Sequence, residues 1–217
     1  MIITVASFKG GVGKTTTAFH IAAFLNERGK TLLVDGDPNR SVMKWAERGD
    51  VPFKVVDLMG AAMHAPNFEH IVFDTEARPE YEDLKALSDG CHLLVLPTTP
   101  DVLSLEALML TVKALRDAKS TKFKVLLTIV PPRPERDGQE ARQYLHAEGL
   151  PVFKSEIRRF AAYKKAALTG IPVHEIKAGN AKEAWEDYRN VGEEIVNEHQ
   201  QVFAGIATSQ TSTVATR

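Results

Sequence analysis

The stretch Lys9-Gly10-Gly11-Val12-Gly13-Lys14-Thr15-Thr16 has the residue types and spacing to hold the phosphates of a nucleotide. Its glycines let the backbone turn tightly and aim successive N–H groups at one anion. Lys14 is placed to reach the β- and γ-phosphates. The Thr15 hydroxyl is placed to ligate Mg²⁺, an ion that keeps several waters and takes few protein ligands. The usual spacing, G-x-x-x-x-G-K-[ST], does not fit, because its first glycine falls on Phe8. A second lysine, Lys9, stands ahead of the glycines instead. Two carboxylate sites follow. Asp35 and Asp37 close the apolar run Thr31-Leu32-Leu33-Val34, and Asp74 closes Ile71-Val72-Phe73. Acids at the carboxyl ends of strands can face Mg²⁺ or an attacking water. Asp74 in that setting suits a water-mediated hold on the metal. The Asp35/Asp37 pair also suits a plain turn that caps a helix.

These groups meet only if the fold brings them together. The β-branched run over 2–6 predicts a buried strand, and the apolar spacing over 17–25 predicts a helix. That is the strand–loop–helix setting a phosphate loop needs. Further strands are expected over 31–35, 53–57, 71–74, 93–96 and 123–130, with a last short one beginning at Val152 and Phe153. Helices are expected over 41–48, 81–87, 104–118 and 140–147, then through Lys164, and over about 182–202. Strands alternate with helices, and several strands are apolar on both faces. The pattern predicts an α/β, doubly wound, mostly parallel sheet with helices on both faces. One domain over 1–203 is expected. The Ser-, Thr- and Ala-rich tail over 204–217 has no periodicity and is expected to be disordered.

The formal net charge of the 217-residue chain is -1, so no global field recruits nucleic acid. Any DNA contact must come from a local basic patch. The concentrated run is Arg158-Arg159-Phe160-Ala161-Ala162-Tyr163-Lys164-Lys165. On a helix, Arg158, Lys165 and their neighbours Arg159 and Lys164 share a face that can neutralise duplex phosphates without reading sequence. Cys91 is the single cysteine, which excludes an intramolecular disulfide and a Cys-only metal cage. No apolar run approaches the ~20 residues that span a bilayer. The chain opens on a strand, so a cytoplasmic protein without a signal peptide is expected.

The loop KGGVGKTT, the D-x-D-P turn at Asp35, Asp37 and Pro38, and the Asp74 strand together resemble the deviant Walker ATPases of the ParA/MinD family. With no helix-turn-helix ahead of the loop, the chain looks like the short ParA type, ParF-like in plasmid partition or McdA-like in carboxysome positioning. The resemblance implies a P-loop NTPase that hydrolyses ATP slowly with Mg²⁺. It implies that Lys9 reaches across a homodimer to the partner's nucleotide, and that Gly10, Gly11, Val12, Gly13, Lys14, Thr15 and Thr16 cradle the phosphates. Asp37 then positions or activates the attacking water, Asp35 supports the metal's water shell, and Pro131 or Pro132 touches adenine. It also implies non-specific, nucleoid-associated DNA binding near 158–165, and an adaptor protein that stimulates hydrolysis. Plasmid, chromosome and carboxysome cargoes stay open. MinD-like members carry a basic amphipathic membrane helix at the C-terminus, which the tail here lacks, so membrane targeting is disfavoured. The family continues with small residues and prolines after the Asp74 position. This chain has Thr75-Glu76-Ala77-Arg78-Pro79, where Glu76 and Arg78 suit a surface ion pair. The competing class is a metabolic P-loop enzyme, such as a small-molecule kinase or an ATP-dependent ligase. Lys9 separates the two, since a dimerising switch needs it in trans.

Overall fold

The computed structural model describes residues 1–77, 81–177 and 179–214. Six strands form one sheet: β1 Ile2–Ser7, β2 Thr31–Gly36, β3 Lys54–Asp57, β4 His70–Ala77, β5 Leu93–Thr98 and β6 Phe123–Leu127. Their spatial order is β3-β2-β4-β1-β5-β6, and every neighbouring pair is parallel. The chain winds outward from β1 to β3, then crosses back through β4 to β5 and β6. The carboxyl end of β1 therefore lies at the point where the winding reverses, the place where open α/β sheets bind ligands.

Alternate residues along each strand serve two different cores. Ile3, Val5, Leu33, Val72, Val95 and Leu126 pack with α1 (Lys14–Asn26), α2 (Ser41–Ala46), α7 (Ala161–Thr169) and α8 (Ala181–Val214). Ala6, Leu94, Leu96, Val125 and Leu127 pack on the other face with α4 (Tyr81–Gly90), α5 (Val102–Asp117) and α6 (Asp137–Ala147). A separate small cluster on Leu32, Val34 and Val56 lies under α3 (Leu58–His64), which has no buried residue of its own. The doubly wound parallel sheet expected from the sequence is the fold observed.

The helix α1 is enclosed on all sides. Residues from Thr17 through Leu25 are buried without a break, between the sheet and α8. A helix apolar all round is a core helix rather than a surface one. Its contact with α8 is so close that a Cβ on Gly192 would lie 2.2 Å from Phe24.

Several boundaries differ from the pattern in the sequence. The first helix begins at Lys14, because Lys14, Thr15 and Thr16 add most of a turn but no apolar residue. The fourth strand does not end at Asp74. It runs on to Ala77, pairing Ser7 with Ala77 across an irregularity after Val5, and Thr75 Oγ1 donates to the Val5 carbonyl at 3.0 Å. Arg78 and Pro79, and with them the expected Glu76–Arg78 pair, lie outside the described residues. The sixth strand stops at Leu127, since Ile129 turns to φ 54. The expected strand at Val152 is a single bridge to Val125. At the C-terminus α8 continues to Val214, into the segment 204–217.

Candidate functional site

The loop between β1 and α1 has the shape of an anion cradle. Gly11 and Gly13 adopt φ 80 and φ 83, a region that side chains with a Cβ enter only at a cost. Gly13 is the N-cap of α1 and brings no side chain to it, so the first-turn amides keep their positive end open. A Cβ built on Gly10 or Gly11 would meet nothing within 4 Å, so space is left over the loop rather than filled by packing. Thr128 Oγ1 pins the loop from the neighbouring strand end by donating to the Val12 carbonyl at 2.7 Å.

The charged groups converge beneath that loop. Lys14 is 8% exposed, and its Nζ lies 4.0 Å from Asp37 Oδ2. Asp37 Oδ1 accepts from the Asn39 N–H and its side-chain amide. Asp35 holds its own turn and α2: Oδ1 accepts from the Asp37 N–H at 3.1 Å and Oδ2 from the Met43 N–H at 2.8 Å. The plain turn-capping reading of Asp35 is therefore met by the geometry, and a metal-shell role has to share those oxygens. Thr15 Oγ1 donates to Asp74 Oδ2 at 2.7 Å, while Asp74 Oδ1 is buried without any partner. Burial pushes the Asp74 carboxyl up to about 7, with Asp35 and Asp37 adding to the rise and Lys14 and Thr15 opposing it. An orphaned, buried carboxylate oxygen beside a threonine hydroxyl fits a hydrated Mg²⁺ bound between phosphates and protein. Thr15 and Asp74 are the residues that would hold it.

Beside the cradle, Gly13 and Thr16 open onto a cavity of ≈ 440 Å³ walled by Ile129, Ile157, Phe160 and Tyr163. Its lining is mostly apolar, as a planar base requires.

Residues 3–173 match the family profile described as CbiA, the CobQ/CobB/MinD/ParA nucleotide binding domain. The chain belongs to this nucleotide-binding family. Among its relatives is the Maintenance of carboxysome distribution protein A of Gloeobacter kilaueensis. It is 37% identical over 201 residues, covering 89% of this chain and 93% of that protein. Among solved structures, a plasmid partition protein from Borrelia burgdorferi B31 bound to AMPPNP superposes with TM-score 0.70 at 17% identity, covering 91% of this chain and 98% of that one. The ATP complex of a Cyanothece McdA variant superposes with TM-score 0.69 at 17% identity, covering 89% of this chain and 95% of that one.

In this ParA/MinD-family chain the two lysines of the loop have separate surroundings. Lys14 points inward. Lys9 lies on the rim, where its Nζ donates to Asp101 Oδ1 at 3.0 Å and to Ser104 Oγ at 2.7 Å. Burial raises the Asp101 carboxyl, but hydrogen bonds from Thr99, Ser104 and Lys9 outweigh it and hold the group well below the usual range. Pro131 lines the cleft on this Lys9 side of the loop, with Asp101 and Ser104, and not the apolar cavity beside Gly13. Pro132 lines neither. The apolar cavity beside Gly13 is lined instead by Ile129 and Phe160. Nothing in the sequence around Ile129 signalled this, because its left-handed backbone is rare for a β-branched residue.

The basic run is divided. Arg158 and Arg159 precede α7 instead of sharing its face, because Arg158 forms a bridge with Val130 at the edge of the sheet. Arg158 also chelates Asp187, with Nε and Nη2 within 3.1 Å of its carboxylate. Arg159 lies 3.6 Å from Glu135, and both arginines border the apolar cavity. Lys164 and Lys165 are exposed on α7. Sequence reading also passed over His20, which is wholly buried behind the phosphate loop. Its Nδ1 contacts the Thr16 carbonyl at 2.7 Å and its Nε2 accepts from the Val173 N–H, so the ring is neutral and burial lowers its pKa to about 4.

Proposed function

We propose that this chain is an ATP-hydrolysing switch that dimerises with ATP bound, binds DNA without sequence preference and distributes an intracellular cargo. The observation that carries the reading is the separation of Lys14 from Lys9: one lysine faces the phosphate cradle, the other stands outside it on an exposed rim. A cation that its own site does not use is available to a second subunit. Supplied in trans, it stabilises charge on the transferring phosphoryl group, as an arginine finger does. Thr15 and Asp74 would hold Mg²⁺, which would supply positive charge against the phosphates. Within the chain, the loop amides and Lys14 bind and orient the phosphates, Asp37 positions a water, and the Ile129–Phe160 cavity takes the base. The carboxysome distribution relative, matched over nearly its whole length, supports a carboxysome as cargo. A partner protein that accelerates hydrolysis then converts contact with the cargo into local release from the nucleoid. No helix among the described residues is long and apolar enough to cross a membrane.

The test is light scattering together with DNA binding in four states: no nucleotide, ADP, ATP and a slowly hydrolysed analogue, at two salt concentrations. Dimers and salt-sensitive DNA binding confined to the ATP forms are the expected result. A monomer in every state, with no DNA binding, would move the assignment to a metabolic P-loop enzyme.

A further inference from the structure

Of the four basic residues read as a DNA contact, Arg158 and Arg159 are paired to carboxylates, and they border the proposed nucleotide cavity together with Lys164. Lys164 and Lys165 alone give too few phosphate contacts for binding at physiological salt. The structure supplies more positive charge from an element far away in sequence. We propose that α2 joins α7 to form one surface for the phosphate backbone of duplex DNA. The proposal rests on the DNA-binding reading above and assigns it to Arg40 and Lys44 as well as Lys164 and Lys165.

Three observations carry it. First, Arg40, Lys44 and Arg48 recur at every fourth position and are exposed, while Val42 and Trp45 bury the opposite face of α2. Arg40, Lys44, Lys164 and Lys165 have no ion-pair partner among the described residues. Glu47 and Asp50 are the exposed acids of this segment, and they lie at the far end of α2 from Arg40.

Second, the segment just after α2 packs closely against the C-terminal end of α7. Arg48 Nη1 donates to the Ala167 carbonyl at 2.9 Å. A Cβ on Gly170 would lie 2.3 Å from the Gly49 nitrogen, and one on Gly49 would lie 2.5 Å from the Thr169 carbonyl oxygen. Trp45 of α2 and Tyr163 of α7 both set their rings edge-on to His20. Lys44 precedes Trp45 and Lys164 follows Tyr163, so each lysine lies on a helix anchored at His20.

Third, α2 hangs from the nucleotide turn. The Arg40 N–H donates to the Asp37 carbonyl at 2.8 Å, and the Met43 N–H donates to Asp35 Oδ2. Arg40 itself is the N-cap at φ 53 and ψ 45 and makes no side-chain cap hydrogen bond. A left-handed position without glycine or asparagine is strained, and backbone strain of this kind gathers at binding sites.

The experiment measures binding to a random-sequence duplex by fluorescence anisotropy across a salt series, with AMPPNP present and binding of a fluorescent ATP analogue measured on the same samples. The proteins are wild type, Arg40→Gln with Lys44→Gln, Lys164→Gln with Lys165→Gln, and Lys44→Gln alone. Each pair is expected to weaken binding about tenfold and to lower the slope of log K against log salt by about 2 per subunit engaged. Lys44→Gln, a single change away from Asp37, is expected to lower the slope by about 1 with nucleotide binding kept. If the α7 pair lowers the slope and neither α2 variant does, the inference is overturned and DNA binding by α7 stands. If wild type binds no DNA with AMPPNP bound, both fail together. Binding to anionic phosphatidylglycerol vesicles in place of DNA, with the same dependence on these lysines, also overturns it.

Discussion

Asp74 is kept in an energetically awkward state by the protein without ligands. Its carboxyl titrates at about 7 in the folded chain, raised by burial from an ordinary value of 3.8. A group with a raised folded pKa contributes stability that is fully present below its unfolded pKa and is lost as pH rises through the folded one. The ligand-free protein therefore gives up stability from Asp74 between about pH 4 and pH 8, by at most about 4 kcal/mol. Asp74→Asn removes that titration. In urea unfolding at pH 8 without nucleotide, the variant is expected to be more stable than wild type by a few kcal/mol, with the gap closing towards pH 4. The same variant is expected to lose Mg²⁺-dependent nucleotide binding. An unchanged gap between the two pH values would show that Asp74 is not the buried carboxylate responsible.

Lys9 has an equally local test. Its contacts with Asp101 and Ser104 are half-exposed, so the ion pair is worth little, no more than about 1 kcal/mol. Lys9→Ala is expected to leave nucleotide affinity within about threefold while abolishing the ATP dimer, since the lysine makes no contact in its own cradle. Asp101→Ala keeps the lysine and frees it from the rim, and is expected to raise dimer affinity by about twofold to fivefold. Sedimentation with a slowly hydrolysed analogue reads both. Loss of dimer in Asp101→Ala would mean that Asp101 is itself part of the subunit contact.

At the scale of elements, the packing of α1 against α8 gives a sharp contrast between two helical glycines. Alanine in place of glycine in a helix interior gains up to about 1 kcal/mol in propensity. Gly90, in the last turn of α4, would meet nothing within 4 Å of a new Cβ. Gly90→Ala is expected to be neutral or to raise Tm slightly. Gly192 faces the ring of Phe24, which is wholly buried and has nowhere to move. Overpacking of that kind costs about 1–3 kcal/mol, so Gly192→Ala is expected to lower Tm by several degrees despite its better helix propensity. Equal effects from the two substitutions would mean that α8 is free to back away from α1.

The elements also show what the sequence could carry. The glycine turn before α1 and the acids at the ends of β2 and β4 were legible as local structure, because glycines before a helix and acids after apolar runs are local patterns. The helix α3 was not, since seven residues with no buried side chain leave no apolar period to read. Arg158 was misplaced on a helix for a related reason. Its fate is settled by Asp187, 29 residues further on, and by a sheet edge that only the folded chain creates. Ile129 was missed because a positive φ on a β-branched residue contradicts its local preference and is imposed by tertiary contacts.

Taken as a whole, the molecule has one element enclosed along its length and a rim that is open to solvent. The helix α1 is gripped along its length by the sheet and by α8, and no side chain between Thr17 and Leu25 reaches solvent. A rod clamped in that way cannot rock, so the phosphate loop at its tip is a fixed datum for the site. Whatever distance closes when a nucleotide arrives must be covered by the rim: the turn around Asp37, the segment holding Asp101, and the strained backbone at Ile129. These three lie on different connections, after β2, β5 and β6, and each has exposed residues. A docking protein at the outer surface could therefore press on one of them and alter the timing of hydrolysis without disturbing how tightly the phosphates are held.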